Sequence, residues 1–545
     1  MPVTQPIPAL GNRPALAPFI LNVIVASYLM ALCNATFWGH LSRIFQGRMA
    51  MALVFAGAVW ALMLLVVSLL AVRRAQKPVL VTLIAIAAVT SFYMDTLGVM
   101  IDREMIQNAV TTTVAESRHL ITPQMLIQVG LYGVLPAALV IWVRIRRATV
   151  WRGLAGWALV TAGSAALVVG LLFTNMKSYS TVLRADKELM GSVQPLAPLM
   201  GALRYAQMML KSTNLILVPT GTDAKPGTYL AGAGKPVLMV IVAGETGRAA
   251  NWALGGYARD TNPELAKRDI LYYAKASSCG TATATSLPCM FSPLTKDEYS
   301  YEGGLANENL LDVLGHAGFK VEWWDNNTGD KAIAARFAPR FMTAQDGAEF
   351  CTPECIDGVF LNRLDDLAAS ITENTVVVLH MIGSHGPSYW LRYPPERERF
   401  KPACQTPELA DCTTEEIVNA YDNTIAYTDY VLARLIDRLD AQDRVIPAMY
   451  YVSDHGESLG ENGIHLHGTP YFMAPEVQTH VPMVIWMSAR FRETLGLDQG
   501  CMAGRMGETV THDNMFSTVI DMLDVVTVAE NETLDLADPC RQKPS

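Results

Sequence analysis

The chain has 545 residues, of which 51% are hydrophobic, and a formal net charge of −9 at pH 7. This length allows more than one domain. The acidic balance argues against a nucleic-acid-binding protein, because such proteins usually carry a basic surface. The apolar residues are concentrated before residue 175, so we expect a membrane-embedded amino-terminal part followed by a more polar part.

Apolar segments in this first part are each close to the roughly 20 residues that a membrane-spanning helix needs. The five segments cover residues 15–37, 51–72, 78–100, 124–144 and 154–174. Arginine and lysine are concentrated in the loops after the second and fourth segments, which predicts that these loops face the cytoplasm. Everything after residue 174 is then expected on the opposite side of the membrane.

The loop at residues 101–123 is longer than a turn needs. Asn108, Thr112 and Glu116 are spaced by four in this loop, so they share one face if the loop is helical. On spacing alone, a solvated amphipathic connector is the favoured interpretation. The alternative is a polar surface near the membrane that receives a lipid headgroup.

After Lys235 short apolar runs alternate with polar, helix-like stretches. Because several runs are apolar throughout, they favour a parallel sheet covered by helices on both faces, an α/β/α sandwich. Strands are predicted at residues 237–243, 270–274, 320–324, 375–380, 448–452 and 481–487. The predicted organisation is a five-helix transmembrane domain at 1–174, bridging helices and a linker at 175–235, and an outer domain at 236–545.

Eight of the nine cysteines follow residue 278, and most lie in closely spaced pairs. An even, locally paired set predicts disulfides in an oxidising compartment, which agrees with the topology inferred from the charged loops. Structural zinc is the less favoured alternative, because none of the pairs has Cys-x-x-Cys spacing. The predicted pairs are Cys279 with Cys289, Cys351 with Cys355 and Cys404 with Cys412, and Cys501 and Cys540 form a candidate fourth pair.

Polar side chains follow four of the predicted strands. Glu245 follows the first strand, Thr283 the second and His385 the fourth, while Asp454 and His455 follow the fifth. Because active sites in such sheets lie beyond the carboxyl ends of the strands, we expect these residues to meet at one edge.

The expected cluster has the chemistry of a metal-assisted nucleophile. A threonine hydroxyl needs a base or a metal to attack phosphorus. Two carboxylates and an imidazole suit zinc, with the Thr283 hydroxyl at the open position. Attack on a phosphate diester would give a phosphothreonine, and His385 and His467 could stabilise the phosphoryl group, protonate a leaving group or hold a second metal.

Ordinary structural roles are also open to these residues. Thr283 could be a turn residue, and Glu245 and Asp454 could cap helices. The metal interpretation is favoured because His455, His465 and His467 fall in the same short segment as Asp454.

The motifs around these residues resemble those of the lipid A phosphoethanolamine transferases, a family that includes the mobile colistin resistance enzymes. The resemblance covers nearly the whole chain. It rests on Cys279-Gly280-Thr281-Ala282-Thr283-Ala284, Gly244-Glu245-Thr246, Gly383-Ser384-His385-Gly386-Pro387, Ser453-Asp454-His455-Gly456-Glu457 and Leu466-His467-Gly468. In one departure, Cys351 and Cys355 enclose a shorter loop than the middle disulfide of the family.

The resemblance implies a multi-pass protein of the bacterial inner membrane with an alkaline phosphatase-like catalytic domain in the periplasm. Thr283 would be the nucleophile, and His385 and His467 would act at the phosphate or bind a further zinc. One Zn²⁺ would be held by Glu245, Thr283, Asp454 and His455. Donor-lipid and substrate contacts would come from Asn108, Thr112, Glu116, Thr328 and Lys331.

By the same resemblance, the expected reaction moves phosphoethanolamine from phosphatidylethanolamine to a phosphate of lipid A. The added amine lowers the negative charge of the cell surface, which weakens its attraction for polycations such as polymyxin and colistin. A monomer among membrane lipids, without nucleic acid, is expected. The main alternative keeps the chemistry but uses core sugars of lipopolysaccharide or periplasmic glucans as acceptor; a sulfatase and a non-enzymatic receptor are less favoured.

Overall fold

The computed structural model describes residues 13–146, 148–352 and 354–542, without the side chains of residues 114–116. Contacts divide the chain into two compact units. One contains residues 13–102 and 121–202, and the other contains residues 103–120 and 203–542. The loop at 103–120 therefore belongs with the second unit, although it lies between two apolar segments in the sequence. The predicted domain boundaries at residues 174 and 235 stay predictions.

The first unit is helical, as its apolar composition predicts. Among the described residues, four helices are long and apolar enough to cross a membrane: Met49–Leu70, Arg73–Leu97, Pro123–Trp142 and Val150–Phe173. The pair Pro18–Leu32 and Ala35–Ile44 is bent by 67° and makes a fifth if it is one span. The predicted helical membrane domain is thereby confirmed. Its remaining elements are the helices Met176–Ala185, Lys187–Gly191 and Leu196–Lys211, the last of which continues into the second unit, and the strand pair Ala15–Leu16 and Arg144–Ile145.

One membrane helix is interrupted by a π-helical turn at Gly130–Val134 between Pro123–Val129 and Leu135–Trp142. Pro136 lacks a backbone N–H and cannot bond the carbonyl of Tyr132 four residues earlier. The Tyr28 hydroxyl instead donates to that carbonyl at 2.6 Å. This contact satisfies a polar group that would be costly to leave unpaired in an apolar surrounding.

The second unit is built around an eight-stranded sheet. Its strands are β1 (Val237–Gly244), β2 (Ile270–Ser277), β3 (Lys320–Asp325), β4 (Arg340–Phe341), β5 (Thr375–His380), β6 (Ile446–Ser453), β7 (His480–Met487) and β8 (Val510–Thr511). They lie in the order β8-β2-β7-β6-β1-β5-β3-β4. All neighbours pair in parallel except β7, which runs antiparallel to β2 and β6.

All six predicted strands are present, and the sheet is covered on both faces. Alternate residues of β1, such as Met239 and Ile241, pack in one core with the helices Leu310–His316 and Asp513–Met522. The intervening residues, such as Val240, are equally buried, which explains why the strand is apolar throughout. The predicted α/β/α sandwich is confirmed. The antiparallel β7 differs from the expected parallel sheet, because an apolar sequence does not encode strand direction.

The helices of the second unit lie mainly between the strands in sequence. The longest, Thr414–Asp440, begins with a capping box in which the side chains of Thr413 and Glu416 each accept from the other's backbone N–H. The others are Arg103–Thr111, Val114–Leu120, Thr228–Ala231, Thr283–Met290, Tyr301–Ala306, Leu310–His316, Val359–Ser370, Glu476–Thr479, Ala489–Leu495, Gln499–Gly504 and Asp513–Met522.

Disulfides join the cysteines of this unit in the predicted pairs: Cys279 with Cys289, Cys351 with Cys355, Cys404 with Cys412, and Cys501 with Cys540. Cys33, in the first unit, is a buried free thiol.

Candidate active site

The site lies where β1 and β6 end side by side. The two strands pair in parallel up to Gly244 and Ser453, so Glu245 and Asp454 leave the sheet as neighbours. The turn after β5 approaches the same point, and the N–H of Ser384 donates to the Glu245 carbonyl at 3.0 Å. Gly383 has a φ of +49°, and a Cβ there would lie 2.4 Å from the Glu245 carbonyl oxygen. Glycine is therefore required for this close approach.

Thr283 begins the helix Thr283–Met290 and is buried. Its hydroxyl oxygen lies 3.0 Å from Glu245 Oε2 and 3.2 Å from Glu245 Oε1. The same oxygen lies 3.2 Å from His455 Nε2. The hydroxyl therefore faces both a carboxylate and an imidazole, as an activated nucleophile requires.

The imidazole of His455 has a defined orientation. Its Nδ1–H donates to the Gly456 carbonyl at 2.9 Å. This bond directs Nε2 toward the acids, at 3.3 Å from Glu245 Oε1 and 3.4 Å from Asp454 Oδ2. A backbone partner on one ring nitrogen is typical of histidines that offer the other nitrogen to a metal.

Two buried carboxylates and an imidazole share this small volume, and their pKa values are shifted by burial and by their neighbours. Burial and the neighbouring Glu245 raise the pKa of Asp454 to about 6. Burial opposes the charge on His455, but the two carboxylates outweigh it and raise the pKa of His455 to about 10. Burial likewise opposes the charge on Glu245, yet contact with His455 holds the pKa of Glu245 well below its usual value. The cluster therefore favours a positive charge at its centre.

The residues fit a divalent cation. Ligand atoms of Glu245, Asp454 and His455 all lie within 4.8 Å of one another. Asp454 Oδ1 accepts from the N–H groups of Thr246 and His455, whereas Asp454 Oδ2 is buried without a hydrogen-bond partner among the described residues. A buried carboxylate oxygen left in this way is expected where a metal provides the missing partner. Carboxylate and imidazole side chains are ligand types that bind divalent metals in proteins.

His385 and His467 lie beside the cluster. The His467 ring centre is 4.4 Å from that of His455 and 5.4 Å from that of His385. His467 Nδ1 lies 3.2 Å from Glu457 Oε1, and the Tyr389 hydroxyl donates to Glu457 Oε2 at 3.2 Å. Glu457 is completely buried, so it fixes the His467 ring from the side away from solvent.

A second buried network supports Glu245 from behind. Asn327 donates through Nδ2 to Glu245 Oε2 at 2.7 Å and to the Met381 carbonyl at 2.9 Å. His380 lies next to the same amide at 3.3 Å, and its Nδ1 is 2.8 Å from Asp325 Oδ2. Burial opposes the charge on Asp325, but His380 outweighs it and lowers the pKa of Asp325 to about 2. This network orients the Glu245 carboxylate toward Thr283.

A third network joins the nucleophile helix to β6. The Ser286 hydroxyl donates to the Asp454 carbonyl. His512 Nδ1 accepts from the Cys279 N–H at 3.1 Å, while His512 Nε2 lies 3.0 Å from the Ser453 carbonyl. Because His512 bridges the segment before Thr283 and the residue before Asp454, it fixes the spacing between nucleophile and acid.

The remaining predicted site residues occupy loops and short helices. Asn108 Nδ2 lies 3.8 Å from the position of a Cβ on Gly468, next to His467. The Thr112 hydroxyl donates to the Asn108 carbonyl at 2.7 Å, and the side chain of Glu116 lies outside the described residues.

Thr328 and Lys331 follow β3, in the loop that also carries Asn327. Lys331 Nζ donates to the Thr328 carbonyl at 2.8 Å. Contact with a substrate stays a prediction for both residues.

Sequence reasoning missed Asn327, His380, Glu457 and His512 as site residues. Asn327 and His380 each adjoin the end of a predicted strand, so the rule that selected Glu245 could have found them. Glu457 lies inside a motif that was already recognised. No sequence signal marked His512, because its partner Cys279 is 233 residues away.

Known proteins are similar to this chain in both its membrane part and its sheet-containing part. Residues 238–525 match the family described as Sulfatase, and residues 59–210 match Phosphoethanolamine transferase EptA/EptB. The chain is 40% identical to phosphoethanolamine transferase EptA of Salmonella typhimurium, over 84% of each protein. It is 35% identical to phosphatidylethanolamine transferase Mcr-1 of Escherichia coli, over 94% of this chain and 96% of that protein.

Solved structures show the same relationship. The integral membrane lipooligosaccharide phosphoethanolamine transferase A of Neisseria meningitidis matches with a TM-score of 0.93 and 30% identity, over 97% of this chain and 100% of that one. The predicted family resemblance is confirmed, as is the arrangement of an inner-membrane part followed by a periplasmic alkaline phosphatase-like domain. The chain belongs to the EptA family of phosphoethanolamine transferases.

Proposed function

We propose that the protein transfers phosphoethanolamine from phosphatidylethanolamine to a phosphate of lipid A, through a covalent intermediate on Thr283. The observation that carries the proposal is the position of the Thr283 hydroxyl. It lies within 3.2 Å of both the Glu245 carboxylate and His455 Nε2 in a buried cluster. An ordinary turn threonine has no need of such partners.

The first step is attack of the Thr283 oxygen on phosphorus of the donor. The new P–O bond forms at Thr283 while the bond from phosphorus to the glycerol oxygen breaks, and diacylglycerol leaves. Glu245 Oε2, 3.0 Å from the Thr283 hydroxyl oxygen, accepts the hydroxyl proton as this bond forms. His467, oriented by Glu457, is placed to protonate the departing oxygen.

In the second step, an oxygen of the acceptor phosphate attacks the same phosphorus. The bond from phosphorus to the Thr283 oxygen breaks, and the proton held by Glu245 returns to that oxygen. His467 is reprotonated by the acceptor phosphate or by solvent, and the product is a pyrophosphate-linked ethanolamine. His385 and His467 flank the cluster, where they stabilise the negative charge of the transferred group. Asn327 and His512 hold the reacting groups in register through their contacts with Glu245 and with the Cys279 and Ser453 backbone.

We assign the metal as Zn²⁺, held by Glu245, Asp454, His455 and the Thr283 oxygen. When bound, zinc lowers the pKa of the threonine hydroxyl and polarises the phosphoryl oxygens. Asp454 Oδ2, which is buried and makes no hydrogen bond within the described part of the chain, supports a metal at this position, and the mixed oxygen and nitrogen donors support zinc. One zinc suffices for this ligand set, and a second at His385 and His467 stays an alternative.

The donor and acceptor assignments draw on the relatives. Mcr-1 carries the name phosphatidylethanolamine transferase, and the Neisseria relative is named a lipooligosaccharide phosphoethanolamine transferase. Transfer to lipid A would add an ammonium group to an anionic surface, and we expect lower polymyxin and colistin binding as a result. Core sugars or periplasmic glucans are the alternative acceptors.

Mass spectrometry of lipid A from cells that express each variant tests the proposal. Wild type should add a phosphoethanolamine-sized mass, and Thr283→Ala should add none. Thr285→Ala is the matched control, because it removes a threonine from the same helix outside the cluster. If wild type leaves lipid A unmodified but modifies core sugars or glucans, the acceptor is one of these instead of lipid A. Modified lipid A with Thr283→Ala would exclude Thr283 as nucleophile.

A further inference from the structure

The short disulfide loop Cys351–Cys355 carries an acidic side chain that touches two distant elements. Glu354 Oε1 lies 3.0 Å from Nε2 of His119, on the helix Val114–Leu120. Glu354 Oε2 accepts from Arg392 Nη1 at 2.7 Å. The loop thereby contacts the segment between two membrane helices and the segment that follows His385, all within the second unit.

The contact between Glu354 and Arg392 matters because Arg392 is buried. Its side chain is 1% exposed, and a buried guanidinium is costly without an acidic partner. Among the described residues, Glu354 is the carboxylate in ion-pair contact with it. Arg392 Nε donates to the His385 carbonyl at 3.0 Å. The charge on Glu354 therefore determines how firmly Arg392 holds the backbone of His385.

The segment just after the disulfide loop supports the backbone that precedes His385. Asp357, two residues beyond the disulfide, accepts from the N–H groups of Ile382 and Gly383 at 2.9 Å each. Thr352 donates its N–H to the Glu354 carbonyl at 3.0 Å, so the ring is closed by a hydrogen bond as well as by the disulfide. Burial opposes the charge on Glu354, but Arg392 and His119 hold the pKa of Glu354 below its ordinary value.

We propose that Glu354 is a positioning residue that joins the helix Val114–Leu120 to the backbone of His385. The inference rests on the proposed function, in which His385 acts at the transferred phosphate, and on the prediction that Glu116 of this helix contacts the donor lipid. Through Glu354, the position of the helix and the position of the His385 backbone depend on each other. A donor lipid that orders the helix should therefore also order His385. A donor without acyl chains carries the same headgroup and should engage the helix in the same way.

The test compares two donors with the full-length protein in detergent. One donor is phosphatidylethanolamine, and the other is glycerophosphoethanolamine, the same phosphodiester without acyl chains. The variants are Glu354→Ala, Glu354→Gln, His119→Gln and the double variant Glu354→Ala with His119→Gln. Glu349→Gln is the matched control, because this exposed glutamate precedes the same disulfide and contacts Asn362 instead.

We expect Glu354→Ala to lower kcat about 10-fold with both donors, because Arg392 loses its charged partner. It should also raise the KM of both donors about 3-fold, because both carry the headgroup that the helix is predicted to contact. His119→Gln should raise the lipid KM by a similar factor, and the double variant should raise it no further than Glu354→Ala alone. Glu354→Gln, which keeps an acceptor for Arg392, should recover part of kcat, and Glu349→Gln should match wild type.

The proposal is overturned if Glu354→Ala behaves like Glu349→Gln, or if the effects of Glu354 and His119 on the lipid KM multiply independently. If Glu354→Ala alters the melting temperature, the comparison of single and double variants with His119→Gln is made with Glu354→Gln instead. The proposed function is separable, because it is contradicted if Thr283→Ala still consumes glycerophosphoethanolamine, whatever the result with Glu354→Ala. Loss of activity in Thr283→Ala together with a normal Glu354→Ala rejects the positioning role alone.

Discussion

The nucleophile cluster and the predicted donor surface are built in different ways. Glu245 and Asp454 leave adjacent parallel strands, and each is held by further buried contacts. Asn108 and Thr112 lie at a short helix, and the Thr112 hydroxyl bonds to the carbonyl of Asn108 within that segment. The cluster is thus fixed by the sheet, whereas the surface is fixed by local contacts and by packing on the domain.

This contrast predicts different kinetic consequences. In the cluster, a small displacement separates the nucleophile from its partners, so substitutions should lower kcat. On the donor surface, interactions contribute equally to bound substrate and transition state, so substitutions should mainly raise KM.

Asp454→Asn keeps the size of the side chain and the acceptor for the Thr246 and His455 N–H groups, but removes the charge on Oδ2. We expect activity to fall about 1,000-fold, since the metal loses an anionic ligand. Bound zinc, measured by elemental analysis of the purified protein, should fall in parallel. Normal zinc content and activity would contradict the assignment of Asp454 as a ligand.

Asn327→Asp replaces an amide that donates to Glu245 with a third carboxylate. Repulsion should displace Glu245, so we expect zinc affinity to fall about 10- to 100-fold. Competition with a zinc chelator measures the affinity. Asn362→Asp is the control, because the exposed Asn362 amide donates to Glu349 and not to Glu245. Equal effects of the two variants would show that Asn327 has no special connection to the metal site.

His512→Asn keeps an acceptor near the Cys279 N–H but removes a titrating group. Burial lowers the pKa of His512 to about 4, against 6.5 for an ordinary histidine. Between these values the unfolded chain binds a proton that the folded protein excludes. The contribution of His512 to the free energy of unfolding should therefore be fully present above pH about 6.5. It should fall by roughly 3 kcal/mol as the pH approaches 4.

Unfolding measured across this pH range should show a shallower loss for His512→Asn than for wild type. His316→Asn is the control, since His316 is only partly buried and pairs with Glu308. An identical pH dependence in wild type and His512→Asn would mean that His512 does not couple folding to protonation.

Asn108→Ala should have the smallest effect. Its amide faces Gly468 beside His467, so we expect the KM for phosphatidylethanolamine to rise about 3-fold with little change in kcat. Thr111→Ala, an exposed neighbour whose hydroxyl bonds to Gln107, is the control. If kcat falls by a larger factor than KM rises, Asn108 takes part in the reaction itself. The donor surface would then not differ from the cluster in its kinetic effect.

The fold could be predicted largely because its strands are short apolar runs with clear ends. The predicted run at 375–380 coincides with β5, and the others differ from the observed strands by at most three residues at either end. Strand direction was less accessible: β7 is apolar whichever way it runs, and only its pairing with β2 and β6 makes it antiparallel.

The site could be predicted where chemistry follows directly on a strand, as at Glu245 and Asp454. It could not be predicted where function depends on contacts between distant segments. His512 meets Cys279 across 233 residues, and Glu354 meets His119 across 235. Neither pair has a spacing or composition that marks it, because the partners come together only in the folded domain.

The most direct test of the account is the detection of phosphoethanolamine on Thr283. Purified protein would be incubated with phosphatidylethanolamine in the absence of acceptor, digested, and the peptide containing Thr283 analysed by mass spectrometry. The account predicts a phosphoethanolamine-sized addition on Thr283 that disappears when acceptor is added. Release of diacylglycerol with no modified Thr283, or with the addition on another residue, would contradict it.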